Sequence, residues 1–211
     1  SIIPLIFIYF KFKNKLINHY KYFLIFGLIC IQGFLGWFMV KSGLVENTDV
    51  SHYRLALHLS VALIILALTF WFILENFNVV KFVKKIDNKF LTLFFLLIVI
   101  QIIFGAFLAG LDGGLLFNSW PDMNGKFFPD DALYKDLYNS NTFNNPSVVQ
   151  FYHRLIGYFL IIFLILLNYF YYYLKIEPKS ILIFNIAIIF QIILGILTLL
   201  TGVKIYYASL H

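Results

Sequence analysis

The chain has 211 residues, of which 62% are hydrophobic and 12% charged. A soluble domain is about 45–50% apolar and about 25% charged, so the composition excludes a water-soluble globule and a disordered chain alike. The single cysteine, Cys30, rules out an internal disulfide framework and a cysteine-only metal cluster, and a net charge of +6 on so apolar a chain points to a membrane, not to nucleic acid.

Residues 1–10 form a short uncharged run that leads into the basic stretch KFKNK, and the second half of a spanning helix is expected there. Uncharged apolar runs then lie between Lys21 and Lys41, Arg54 and Glu75, Lys89 and Asp112, Arg154 and Lys175, and Lys179 and Lys204, with 19, 20, 22, 20 and 24 interior residues. A hydrocarbon core needs roughly 20 residues of helix, and a backbone in lipid must satisfy its own hydrogen bonds. Five complete transmembrane helices are predicted. The final YYASLH reads as the start of a further helix, so partial helices are expected at both ends of an all-α, polytopic membrane bundle.

Lysine and arginine set the orientation. Alternate connections carry ten of them (Lys11, Lys13, Lys15, Lys21, Lys81, Lys84, Lys85, Lys89, Lys175 and Lys179), against six on the other side. The first side is therefore expected to be cytoplasmic, and the long loop 112–147, rich in aspartate, glycine and proline, to lie outside. That loop is too long for a plain connector and is expected to cover something.

Two repeats stand out. Three helices share Gln-x-x-x-Gly: Gln32 with Gly36, Gln101 with Gly105, and Gln191 with Gly195. Four residues make about one helical turn, so amide and glycine share a face, and either helix packing or ligand contact accounts for them. The second echo is His52-Tyr53-Arg54-Leu55 and Tyr152-His153-Arg154-Leu155, each read as opening a helix on the outer side.

Of the five histidines, His19 sits among cytoplasmic lysines and reads as a loop residue, while His52, His58, His153 and His211 all fall at outer helix ends. Ionisable groups at membrane depth are functional candidates. Zinc calls for more ligands than this layer offers, whereas haem needs one or two axial histidines and an apolar slot. Arg54 shares a helix face with His58, and Arg154 adjoins His153, so both arginines are candidates for haem propionates or for lipid headgroups. His52 and His58 are about 120° apart around a helix and cannot both bind one iron; His58, deeper and aligned with Arg54, is the better ligand.

Several blocks resemble the haem A synthase family of cytochrome oxidase assembly. They are QGFLGWFMVKSGL at 32–44, VSHYRLALHL at 50–59, GAFLAGLDGGLLFNSWPDMNG at 105–125, QFYHRL at 150–155 and LGILTLL at 194–200, and they occur in the family's order. The resemblance implies an eight-helix protein of two pseudo-symmetric four-helix bundles, each with a haem site near the outer face. On this chain it implies a remainder of the N-terminal, substrate bundle at 1–74, a cytoplasmic linker at 75–89 and a C-terminal haem B bundle at 90–211. His58 would be an axial ligand of the N-terminal site, and His153 and His211 the pair holding a haem B prosthetic group. Gln32 and Gln191 are further candidate cofactor contacts. The implied activity is oxidation of the C8 methyl of haem O to the formyl group of haem A, by successive hydroxylations.

The family's Glu-Tyr-x-His-Arg motif, with its catalytic carboxylate and the partner of His58, is absent from these residues. The chain reads as a fragment, expected to be inactive alone. The implied partners are haem O, haem A, the lipid bilayer, haem O synthase and an electron-transfer partner. The expected location is the inner (plasma) membrane of a bacterium, or a mitochondrial inner membrane. Residue chemistry by itself leaves two alternatives open, a diheme b-type electron-transfer cytochrome and a repeat-built transporter without haem.

Overall fold

In the computed structural model the described residues are 6, 9, 19–43, 50–77, 88–174 and 178–211. Five long helices carry the chain: α1 (His19–Gly43), α2 (His52–Asn76), α3 (Asn88–Gly110), α4 (Pro146–Tyr173) and α5 (Pro178–Leu200). A short α6 (Ile205–Leu210) follows a turn at 201–204. All five long helices are long and apolar enough to cross a membrane, as the charge boundaries predict. The protein is a multi-pass membrane protein, and no strand occurs among the described residues. Hydroxyls on these helices are satisfied internally: Ser60, Thr69, Thr198 and Thr201 each donate to the carbonyl four residues back, which lets a polar side chain sit in an apolar helix.

Two local readings change. His19 is the first residue of α1, not a loop residue. His153 does not open its helix but is the eighth residue of α4. Asn145 explains the earlier start: its side chain accepts from the backbone N–H of Ser147 and Val148 at 3.0 and 3.3 Å, and Pro146 occupies the first turn. The long connection therefore ends at Asn145. The expected linker at 75–89 falls mostly, at 78–87, outside the described residues, as do the stretch 11–15 and most of the expected first partial helix.

The chain divides into two compact units, Ser1–Val83 and Lys84–His211. In the first, α1 and α2 form an antiparallel hairpin, with Lys21 paired to Glu75 at 2.5 Å. Its outer faces expose large apolar side chains such as Phe34, Leu66 and Phe70, a pattern suited to lipid contact.

In the second unit α4 is the central element. It buries Ile156, Leu160, Leu164 and Leu167 with Phe94 of α3 and Ile181 of α5, and the Phe94 and Phe163 rings stack at 6.1 Å. Asn168 and Asn185 exchange reciprocal amide bonds of 3.0 and 2.6 Å between α4 and α5. Between α3 and α4, the connection 111–145 folds through three 3₁₀ turns around a second small core of Phe117, Met123 and Phe151.

Candidate functional site

Each Gln-x-x-x-Gly turn meets a histidine from the next helix. Gln32 Nε2 of α1 lies 3.1 Å from His58 Nε2 and donates to the His58 carbonyl at 3.1 Å. Gln101 Nε2 of α3 lies 3.3 Å from His153 Nε2 of α4. Gln191 Nε2 of α5 lies 3.2 Å from His211 Nδ1 and also donates to the His211 carbonyl. The glycine one turn on completes each contact. A Cβ at Gly36 or Gly105 would stand 3.2 Å from the Cε1 of His58 or His153, and one at Gly195 would stand 2.7 Å from that of His211. Carbon–carbon contacts settle at about 3.5–4.0 Å, so a side chain at Gly195 would force the His211 ring to move, and one at Gly36 or Gly105 would press its ring back by a few tenths of an ångström.

The hydrogen bonding at two of these contacts is half complete. An amide nitrogen can only donate, so Nε2 of His58 and of His153 accepts and each ring's proton sits on Nδ1. Those Nδ1 atoms, and Oε1 of Gln32 and Gln101, are buried with no hydrogen-bond partner among the described residues. A buried polar group left unpaired costs about 1–3 kcal/mol. The leftover donor and acceptor belong to the same residue pair at both places.

His153 and His211 also lie close together, with ring centroids 6.4 Å apart and planes at 86°. Two imidazoles at this separation are a pair that one metal ion could take as ligands. Among the described residues no group of three or more His, Cys, Asp or Glu gathers to hold an ion. His52 is buried with its ring 4.0 Å from that of Tyr53.

The two arginines differ. Arg54 places its guanidinium 5.0 Å over the Phe38 ring. Arg154 is bound into the long connection: Nη1 donates to the carbonyls of Ser119 and Asp122 at 2.9 and 2.6 Å, and Nη2 to that of Phe117 at 2.7 Å. Gln150 Nε2 donates to the same Phe117 carbonyl at 3.0 Å, and Tyr158 Oη to that of Pro121 at 2.6 Å. Asn118 ties the connection to the far end of α5 through the Leu199 carbonyl at 2.9 Å. The loop is thus strapped to the helix turn that carries His153. Within the loop, Asp122 serves through its carbonyl to Arg154 and its carboxylate to the Gly125 N–H at 3.1 Å, and Trp120 is exposed.

The whole chain, residues 1–211, matches the family model described as cytochrome oxidase assembly protein, COX15-CtaA. The chain belongs to that family. The "Heme A synthase" of Pelagibacter ubique is 55% identical over 211 residues, covering 100% of this chain and 63% of that protein. The "Heme A synthase" of Rickettsia africae is 39% identical over 219 residues, covering 100% of this chain and 64% of that protein. That of Wolbachia pipientis is 38% identical over 212 residues, with 97% and 62% covered. The chain therefore spans less than two thirds of the length of these curated relatives. No solved structure matches it.

For this member of the cytochrome oxidase assembly family, the sequence blocks that carry the resemblance hold Gln32, Gly36, His58, Gly105, His153 and Gly195, while Gln101, Gln191 and His211 lie outside them. Gln32 and Gln191, expected as cofactor contacts, touch histidines. Gln101 was legible as the third repeat but not as a site residue. The signal available was the repeat itself: Gln101 and Gly105 have the same spacing as Gln32 and Gly36.

Proposed function

We propose that the full-length protein is a haem A synthase, an oxidoreductase that converts the C8 methyl of haem O to the formyl group of haem A. Two hydroxylations of that methyl would give a hydrated aldehyde, which loses water. The reaction rests on the family and on relatives that bear this name across the whole of the chain. One observation carries the haem reading: the neighbouring rings of His153 and His211, 6.4 Å apart. Two imidazoles bound on opposite sides of one metal ion, with bonds of about 2 Å, have ring centres about 6 Å apart. The donor set fits.

In this reading His153 and His211 hold haem B as a prosthetic group, which supplies reversible one-electron transfer when bound. His58 is one axial ligand of the substrate site. The division into a substrate bundle at 1–74 and a haem B bundle at 90–211 follows the same pattern. Arg54, one turn before His58, is placed to pair with a propionate. Arg154 serves the loop first; its Nε, buried without a partner among the described residues, is the donor left for a propionate oxygen. The lysine bias supports a histidine layer near the outer face of a bacterial plasma membrane. Haem O synthase and an electron carrier would be the working partners.

The test is to express the full-length protein with haem O synthase and extract the haems. Haem A is expected with the wild type. With His58→Ala, haem O should accumulate and haem A fall below detection; with His153→Ala, the protein should lose its haem B. Haem O alone from the wild type would make the protein a diheme electron-transfer cytochrome, and a colourless purified protein would end the haem reading.

A further inference from the structure

We propose that the Gln-x-x-x-Gly turns are seats for the axial imidazoles, and that Gln101 and Gly105 are positioning residues that set the ring orientation and basicity of His153. The inference rests on the haem reading above. It goes beyond it by giving work to residues that touch the ligand and not the haem.

The contact recurs. The same ring atom, Cε1, is the nearest to the glycine in all three contacts, although His58 and His153 lie on different helices and His211 follows the end of α6. Ordinary close packing gives no reason for one ring edge to be chosen three times. Gly27 and Gly33 of α1 show what a helix glycine without this task looks like, since a Cβ at either meets nothing within 4 Å.

The hydrogen bonding at these contacts is also unfinished. The Gln101 amide donates to Nε2 of His153, the lone pair that a metal would take. His153 Nδ1–H and Gln101 Oε1 are then both buried and unpaired. When His153 gives Nε2 to iron, the amide loses its acceptor and can turn its oxygen to the Nδ1–H. That exchange pairs both orphans at once. It moves no proton, because the ring stays neutral with its hydrogen on Nδ1 throughout. A metal-bound histidine characteristically passes its other N–H to an acceptor, which fixes the ring and raises its donor strength. The same orphans occur at Gln32 and His58, so the substrate-site histidine has an equivalent device. At Gln191 the amide meets Nδ1 of His211 instead, so by the same logic that ring carries its hydrogen on Nε2 and does not share the device.

The experiment uses the purified full-length protein with its native haem complement and reads haem content, the low-spin ferric spectrum and the midpoint potential. Gln101→Leu is apolar and branched, ends one atom short of the amide and removes both its donor and its acceptor. It should keep a bis-imidazole spectrum, raise the potential of the C-terminal haem, and loosen haem retention roughly ten- to hundred-fold. Gln101→Glu offers a charged acceptor and should lower the potential. Gly195→Ala should lose haem, whereas Gly33→Ala should change neither spectrum nor potential.

Opposite shifts for Leu and Glu are the signature of a hydrogen bond to the ligand, which a packing role would not produce. If both variants leave the potential unmoved, or move it the same way, Gln101 only packs and the proposal fails. Should Gln101→Leu not assemble, the direction of the Gln101→Glu shift decides alone. A wild-type protein without haem overturns the functional reading itself, an outcome distinct from bound haem that ignores Gln101.

Discussion

The α1–α2 hairpin and the α3–α4 pair each dock a histidine against a Gln-x-x-x-Gly turn, yet they finish the task differently. Eight residues join α1 to α2, while thirty-five join α3 to α4. Arg54 and Arg154 come from matching sequence echoes beside those histidines. Arg54 lies over an aromatic ring, whereas Arg154 collects three carbonyls of the long connection. A folded loop pressed against a helix has backbone acceptors that water no longer reaches, and the guanidinium fork, with five donors in one plane, is suited to gather them. Loop length, not the local motif, therefore decides what the arginine does.

Replacing each arginine separates the two cases. Arg154→Leu leaves the carbonyls of Phe117, Ser119 and Asp122 without their donor, and hydrogen bonds to a charged group are each worth about 1.5–3 kcal/mol. A stability loss of about 3 kcal/mol or more is expected, together with protease sensitivity in the stretch around Lys126 and Lys135. Arg54→Leu removes a cation–π contact worth about 0.5–1 kcal/mol at an exposed site and should leave proteolysis unchanged. Thermal unfolding of the full-length protein in detergent measures both. Equal losses, or an intact loop after Arg154→Leu, would show that the two arginines do the same work after all.

How far this was legible in the sequence depended on range. The five spans followed from charge spacing because burying an unpaired charge in lipid is costly, so charges mark helix ends. The rule misplaced the start of α4 because Arg154 is not a boundary charge: its partners are carbonyls 32 to 37 residues earlier in the chain, and it sits inside a helix that began at Pro146. The histidine layer was legible as chemistry, and the Gln-x-x-x-Gly repeat as geometry. Their meeting was not, because it is a contact between helices and periodicity along one helix carries no information about which face meets which neighbour. Fixing the helix pairing turned two separate lists of residues into three seats.

The start of α4 gives a smaller and more local test. Asn145 caps two N–H groups at the point where the long connection hands over to the helix. Asn145→Ala should cost about 1 kcal/mol and increase amide exchange at 147–149 while leaving the rest of α4 protected. If the loop's hold through Arg154 fixes that first turn by itself, exchange there will not rise. The capping bond would then be redundant with the clasp.

The amide pair between α4 and α5 should give the smallest effect. Asn168 and Asn185 bond each other twice, which in a membrane interior suggests strong glue. Asn168 Nδ2 also donates to the Leu164 carbonyl at 2.8 Å, so it keeps a partner when Asn185 is replaced. Interhelical polar pairs in membranes couple by only about 0.6 kcal/mol on average, because the separated helices find other partners. A double-mutant cycle with Asn168→Leu and Asn185→Leu should therefore return a coupling near that value, below the effect of either Arg154→Leu or Asn145→Ala. A coupling of several kcal/mol would reverse the ranking and make this amide pair, instead of the loop clasp, the main polar tie of the second unit.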